Sequence, residues 1–226
     1  MSASRSDFRL GEDGVYRCAA FQRFLWQEHG FGTRMAEPSG DTVTLRQIHS
    51  DRVWNAHRLQ DRQQEGDSLF TDDRQRPIGV RTADCVPLLL VDAQNHAVAA
   101  IHAGWRGTAS AIVKRTLEKM TRVCGTEAAD VYVALGPCIR ECCYEVGDEV
   151  ASQFAPLFPE WGGLTGGKVH LDLPEANRRH LVAAGVAAGH IFDSGLCTSC
   201  TPDQFFSFRR EPQNPGRMLS AISRLA

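Results

Sequence analysis

The stretch VPLLLVDAQNHAVAAIHAGWRGTASAIVKRTLEKMTRVCG, residues 86–125, changes its periodicity partway along. Residues 86–91 and 97–101 are short apolar runs bounded by polar residues or glycine, the pattern of buried strands. From Thr108 onward Ala109, Ile112, Val113, Leu117 and Met120 recur at helical spacing, with Thr108 placed to cap the start and Gly125 to end the helix. A helix that follows a strand directly predicts a mixed α/β or α+β architecture.

The text on either side repeats the mixture. Residues 42–48 alternate, 78–82 and 131–135 are apolar runs, and 190–193, 204–208 and 217–222 also read as strands. Pro174 in a first turn, with Ala176, Leu181 and Ala184 on one face and Gly185 as terminator, predicts a second helix; residues 147–155 predict a third. No internal repeat and no Ser, Gly or Pro tract of linker length interrupts the chain, so a single domain over residues 1–226 is expected. A chain of 226 residues is long enough to bury about 70% of its unfolded surface.

Composition excludes several classes of function. Lys plus Arg total 25 against 27 Asp plus Glu, a net charge of −2 that would gather neither a phosphate backbone nor anionic lipid. Nucleic acid is not expected as the main partner. Met1-Ser2-Ala3-Ser4-Arg5-Ser6-Asp7 has no apolar stretch after its charge, and the best apolar run, 86–91, contains Pro87, so neither export nor membrane spanning is expected and the location predicted is cytoplasmic. Eight cysteines in a chain of this size, without a leader, read as thiols or ligands rather than as a disulfide scaffold.

Three residues stand out as chemistry. His49 closes the 42–48 segment, Cys85 sits between two strand-like runs, and His102 ends the 97–101 strand just before Gly104-Trp105-Arg106-Gly107. Strand ends beside glycine-rich turns let side chains converge while the sheet keeps the backbone rigid. Two imidazoles and one thiolate make a three-ligand zinc site whose fourth tetrahedral position is left for water or substrate, where the pKa of water falls from about 15.7 to roughly 7. The same three residues, scattered and without a short spacing motif, also fit ordinary core or surface positions.

The pieces Leu45-Arg46-Gln47-Ile48-His49, Thr82-Ala83-Asp84-Cys85-Val86-Pro87, His102-Ala103-Gly104-Trp105-Arg106-Gly107 and Cys142-Cys143-Tyr144-Glu145-Val146-Gly147 occur in one order. With Asp193-Ser194-Gly195-Leu196-Cys197-Thr198 and Phe205-Phe206-Ser207-Phe208-Arg209-Arg210, this set resembles the YfiH/YlmD family, formerly called laccase-domain or polyphenol oxidase proteins, from about His29 to Met218. The resemblance implies a layered α/β/β/α fold related to cysteine hydrolases of the cytotoxic-necrotising-factor type. It also implies a zinc site at His49, Cys85 and His102. The chemistry it implies is purine nucleoside phosphorolysis on adenosine, inosine, guanosine and methylthioadenosine, together with adenosine deamination. One departure is visible: only residues 35–41 separate Gly32-Thr33-Arg34 from Thr42, where relatives carry a longer Gly-rich, Asn-containing segment, so part of the usual pocket wall is expected to be missing.

Roles follow from that reading. Asp84, next to Cys85, is the candidate for shuttling a proton in deamination, and a turn cap is its alternative. Phosphorolysis needs a cationic anchor, for which Arg46 and Arg106 are candidates, each close in sequence to a proposed ligand. The turn at 104–108 ahead of a helix offers N–H groups to an anion. Cys197-Thr198-Ser199-Cys200 is a lone CxxC and reads as buried thiols near the site. Cys138, Cys142 and Cys143 could join it as a second metal site, but a loop packed for shape is the expectation. The remaining histidines, 29, 57, 96, 170, 180 and 190, read as surface or satisfied core residues.

The older oxidase label fails a count: a four-copper laccase draws on about ten imidazoles, mostly in His-x-His pairs, and this chain has eight His and no such pair. Copper could still occupy a His–His–Cys site and give some oxidase activity. A second reading makes Cys85 a nucleophile with His102 as its base, for amide cleavage in a peptidoglycan precursor. A third, from a different class, is a zinc- or nucleoside-binding protein without turnover. A monomer or small homo-oligomer is expected.

Overall fold

The computed structural model describes residues 7–37, 40–161, 168–213 and 216–226. At its centre β7 (Val86–Asp92) is buried along its whole length, because it is covered on both faces. Val86, Leu88 and Leu90 point into one apolar cluster, while Leu89 and Val91 point into another. That two-sided burial is why the run reads as continuously apolar rather than alternating.

A six-stranded sheet is built around it in the order β12 (Ile191–Asp193), β9 (Val131–Leu135), β7, β8 (Val98–Ala103), β5 (Ser68–Thr71) and β4 (Val53–Asn55). β8 is antiparallel to β7, whereas β12 runs parallel to β9 and β4 parallel to β5. A five-stranded antiparallel sheet packs on one face: β1 (Phe8–Leu10), β2 (Val15–Cys18), β3 (Gln27–Gly32), β13 (Met218–Arg224) and β6 (Ile78–Thr82). Phe31, Ile78, Val80 and Ile222 from this sheet meet Leu89, Val91, Val98 and Ala100 from the other. The opposite face of the six-stranded sheet is covered by α1 (Trp105–Ala109), α2 (Ile112–Cys124), α3 (Asp148–Phe154) and α4 (Leu173–Ala183), through Ile112, Leu117, Phe154, Ala176 and Leu181 among others. A short ribbon of β10 (Glu145–Val146) and β11 (Val169–His170) completes the sheets. The class is α+β with stacked sheets, as expected. Among the described residues no helix is long and apolar enough to cross a membrane.

Several elements differ from their sequence reading, each for a physical reason. The expected single helix from Thr108 to Gly125 is two. The chain is already helical at Trp105, and Ala111, in the left-handed region at φ 54°, breaks it before α2. Thr108 therefore lies inside α1, its hydroxyl accepting from Asn177 Nδ2 at 3.0 Å, and only Gly125, at φ 73°, plays its expected part. Residues 42–48 make isolated bridges at Val43 and Arg46 instead of a strand. Side chains satisfy the backbone there: Thr44 N–H donates to Asp61 at 2.9 Å, and the Gln47 amide pairs with both backbone groups of Arg81 at 2.8 Å. Residues 204–208 form no strand; the Phe205 carbonyl there is taken by Arg210, which also gathers those of Thr198 and Ser199. The helices at α3 and α4 agree with expectation, with Asp172 capping α4 by accepting from Glu175 N–H at 3.0 Å. β3 carries no strand signal in the sequence, because it buries Gln27 and His29 rather than an apolar alternation.

Candidate functional site

Cys85 immediately precedes β7, and His102 lies near the end of β8, whose register sets Pro87 opposite His102. Since the two strands are antiparallel, the start of one and the end of the other share a sheet edge. His49 arrives from the loop before β4, at φ 59°. The ligand atoms of His49, Cys85 and His102 all lie within 4.8 Å of one another, and the two imidazole rings stand edge-on at 4.9 Å.

Asp67, fully buried, organises this group although no sequence signal points to it. Its carboxylate accepts from the backbone N–H of Ile48, His49 and Ser50 at 3.3, 3.0 and 2.6 Å, and from the Ser50 hydroxyl at 2.7 Å, which shapes the left-handed turn that presents His49. It also bonds His102 Nδ1 at 2.8 Å, and its own backbone carbonyl accepts from His102 N–H at 2.7 Å. Burial opposes ionisation of Asp67, but the donors from His102 and Ser50 outweigh it and hold the carboxyl below its ordinary range. A carboxylate can only accept, so His102 keeps a proton on Nδ1, and Nε2 is the nitrogen left to face Cys85 and His49.

Burial also disfavours charge on Cys85 and His102, yet their mutual attraction prevails: the imidazoles hold the thiol down to about 6, and the thiolate with Asp67 raises His102 to about 9. Gly104 completes the arrangement, because a Cβ there would lie 2.9 Å from Cys85 Sγ and 3.1 Å from His49 Cδ2. The donor set therefore fits a tetrahedral metal with one position open to a pocket.

That pocket has a volume of about 500 Å³ and is lined by His49, Cys85 and His102, by five arginines (62, 81, 106, 209 and 217) and by the aromatic rings of Trp105, Tyr144 and Phe208. Arg106 lies over the Trp105 ring at 4.2 Å and Arg209 over Tyr144 at 5.3 Å. Burial and the nearby charge of Cys85 push the Tyr144 phenol up to about 12, so its hydroxyl stays a donor at neutral pH. A cationic, aromatic cavity of this kind suits a flat ring carrying, or accompanied by, an anion.

Of the other residues singled out from the sequence, Arg106 reaches the pocket and Arg46 does not. In the extended stretch 45–49 alternate side chains face opposite ways, so Leu45, Gln47 and His49 line the cavity while Arg46 turns out to pair with Glu65 at 2.8 Å. Asp84 borders the pocket at φ 88°, but its carboxylate is taken by the Thr198 hydroxyl at 2.6 Å, the Ser207 hydroxyl at 3.1 Å and the Arg209 N–H at 2.7 Å. This is the anchoring alternative rather than a free base. In the short 35–41 segment, Met35 to Glu37 line a separate groove of about 480 Å³ against the five-stranded sheet, which adjoins the pocket through Arg81 and Arg217; residues 38 and 39 lie outside the described residues. Cys138 is buried; Cys142, Cys143, Cys197 and Cys200 come together in one group, Cys197 buried, Cys143 half-buried and Cys142 and Cys200 exposed, contrary to a loop packed only for shape.

The chain as a whole is similar to known proteins. The family model described as multi-copper polyphenol oxidoreductase laccase matches residues 29–225. Adenosine deaminase RL5, from an unknown prokaryotic organism, is 42% identical over 198 residues, covering 81% of this chain and 75% of that protein. Purine nucleoside phosphorylase YlmD of Geobacillus stearothermophilus is 41% identical over 163 residues, covering 70% of this chain and 60% of YlmD. The crystal structure of the hypothetical protein YfiH from Bacillus licheniformis superposes with a TM-score of 0.86 at 30% identity, covering 97% of this chain and 99% of that one. Matched by the family model over residues 29–225 and in fold over 97% of its length, this chain belongs to the laccase-domain family of YfiH and YlmD.

Proposed function

We propose that this protein is a zinc-dependent purine nucleoside phosphorylase, acting on adenosine, inosine, guanosine and methylthioadenosine, with adenosine deaminase activity. The observation that carries the reading is the open three-ligand group at the floor of an arginine-rich, aromatic pocket. The names of the relatives, one a deaminase and one a phosphorylase, support both activities in one cavity.

His49, Cys85 and His102 would hold the ion, which supplies a Lewis acid facing the pocket. Asp67 keeps the His102 proton on Nδ1 and the ring in its plane. Trp105, Tyr144 and Phe208 offer faces on which a purine stacks. Arg62, Arg81 and Arg106 supply charge-assisted donors for phosphate, the part expected of Arg46 and Arg106, of which only Arg106 lines the pocket. Asp84 acts as a positioning residue, fixing the backbone of Arg209 at the rim.

The test is metal content and turnover of adenosine and inosine, with and without phosphate, on the native protein and on Cys85→Ala and His102→Ala. Each variant is expected to lose about one zinc per chain along with release of free base or ammonia. Zinc bound here without turnover of any nucleoside would sink the reading.

One observation favours a second reading. Cys85, His102 and Asp67 line up as thiolate, imidazole and carboxylate, the order of a cysteine hydrolase. The two readings compete for one thiolate. Amide cleavage that persists after chelation and stops on alkylation of Cys85 would select the amidase.

A further inference from the structure

Away from the pocket, four further thiols converge. Cys142 and Cys143 lie in the turn that follows β9, and Cys197 and Cys200 in the turn that follows β12. β9 and β12 are parallel neighbours, so both turns leave the sheet at the same end. The Cys143–Cys200, Cys142–Cys200 and Cys142–Cys143 sulfurs are 3.3, 3.6 and 3.8 Å apart, and all four lie within 4.8 Å of one another. Four sulfurs around one tetrahedral ion, at Zn–S bonds of about 2.3 Å, are themselves about 3.8 Å apart. Sulfurs of a bonded pair would be at about 2.05 Å.

The two turns are held in register without any ion. Cys138 N–H donates to Leu196 O at 3.2 Å, and Thr198 N–H donates to Cys138 O at 2.9 Å. Cys197 forms the buried base of the group. Cys142 and Cys200 are exposed, so the group has a route from solvent.

We propose that Cys142, Cys143, Cys197 and Cys200 form a second metal site, a structural zinc centre separate from His49, Cys85 and His102. Four sulfur donors close the coordination sphere, leaving no position for water or substrate, and an all-thiolate set selects a soft ion. Binding sends the thiol protons to solvent and involves no change of oxidation state. The ion clamps the turn that leads into Tyr144 to the turn that carries Thr198, the donor to Asp84 at 2.6 Å. Arg210 holds the carbonyls of Thr198 and Ser199 at 2.8 and 3.0 Å on the same turn. The clamp thus braces one wall of the pocket without reaching into it.

The experiment is zinc analysis of the full chain, reconstituted with zinc under reducing conditions, for three forms. The native protein is expected to hold about two zinc ions per chain, and the Cys142→Ser/Cys200→Ser and His49→Ala/Cys85→Ala variants about one each. Cobalt loading of the His49→Ala/Cys85→Ala variant is expected to give the intense thiolate-to-metal absorption of four sulfur ligands. Should the cysteine variant not fold, thiol titration of the native protein decides: four fewer reactive thiols with zinc than after chelation are expected beyond those of the His49 centre. A single zinc removed entirely by His49→Ala/Cys85→Ala would overturn the proposal. So would a mass deficit marking a disulfide among these cysteines, or iron bound in place of zinc.

Discussion

Asp67 shows how much of this site depends on a residue that touches no substrate. Five hydrogen bonds meet its carboxylate, three from the backbone of the turn bearing His49, one from Ser50 and one at His102. Asp67→Asn keeps the shape but replaces one accepting oxygen with a donor, so His102 is no longer held with its proton on Nδ1. Zinc affinity is expected to fall about 10- to 100-fold, with the fold retained, as read by competition with a chelator alongside circular dichroism. Changing Arg46, which points to Glu65, is expected to leave nucleoside turnover within about twofold of native, because an exposed pair is worth at most about 1 kcal/mol.

At the scale of elements, two features carry a measurable cost. Ala111 sits in the left-handed region between α1 and α2, where an L side chain is disfavoured by about 1–2 kcal/mol. Ala111→Gly removes that strain at the cost of a more flexible unfolded chain, and a gain of about 1 kcal/mol in denaturant unfolding is expected. On β3, His29 accepts the Cys18 N–H at 2.9 Å through Nε2 and bonds Gln27 Oε1 through Nδ1 at 3.0 Å, which requires the neutral ring. Burial, aided by the charge of Arg17, lowers it to about 4. The unfolded chain takes up this proton near pH 6.5 and the folded chain only near 4, so stability declines as pH falls through that window. The decline attributable to this ring is on the order of 3 kcal/mol, and His29→Gln is expected to flatten it in unfolding curves recorded from pH 7 to pH 4.

For the whole molecule, the decisive contact is between the sheets. Gly136, just past β9, faces Phe31 of β3 so closely that a Cβ would fall 2.1 Å from the ring. Phe31 is fully buried and cannot swing aside without parting the sheets. Gly136→Ala is expected to destabilise the fold by about 1–3 kcal/mol, seen as a lower midpoint in thermal or denaturant unfolding, while Gly147→Ala, with open space at its Cβ, should be close to neutral. Gly136 also donates to Pro87 O at 2.9 Å, beside Cys85, so the sheet contact and the candidate metal group lie along one continuous stretch of backbone.

Strands such as β7 and β9 were legible in the residues themselves, because burial on both faces writes a continuous apolar run into the chain. The ends of α2 and α4 were legible through Gly125, Pro174 and the helical spacing between. His49, Cys85 and His102 could be named because their flanking motifs resemble a family, although nothing in their spacing requires them to meet. Only the tertiary structure decided the rest. Asp67 finds His102 through strand pairing across 35 positions, and no local pattern encodes that distance. Arg46 misses the pocket that Leu45, Gln47 and His49 line because a one-residue step in extended chain reverses the side a side chain faces. The four-cysteine group exists because β9 and β12, far apart in the chain, are parallel neighbours that deliver two separate turns to one sheet edge.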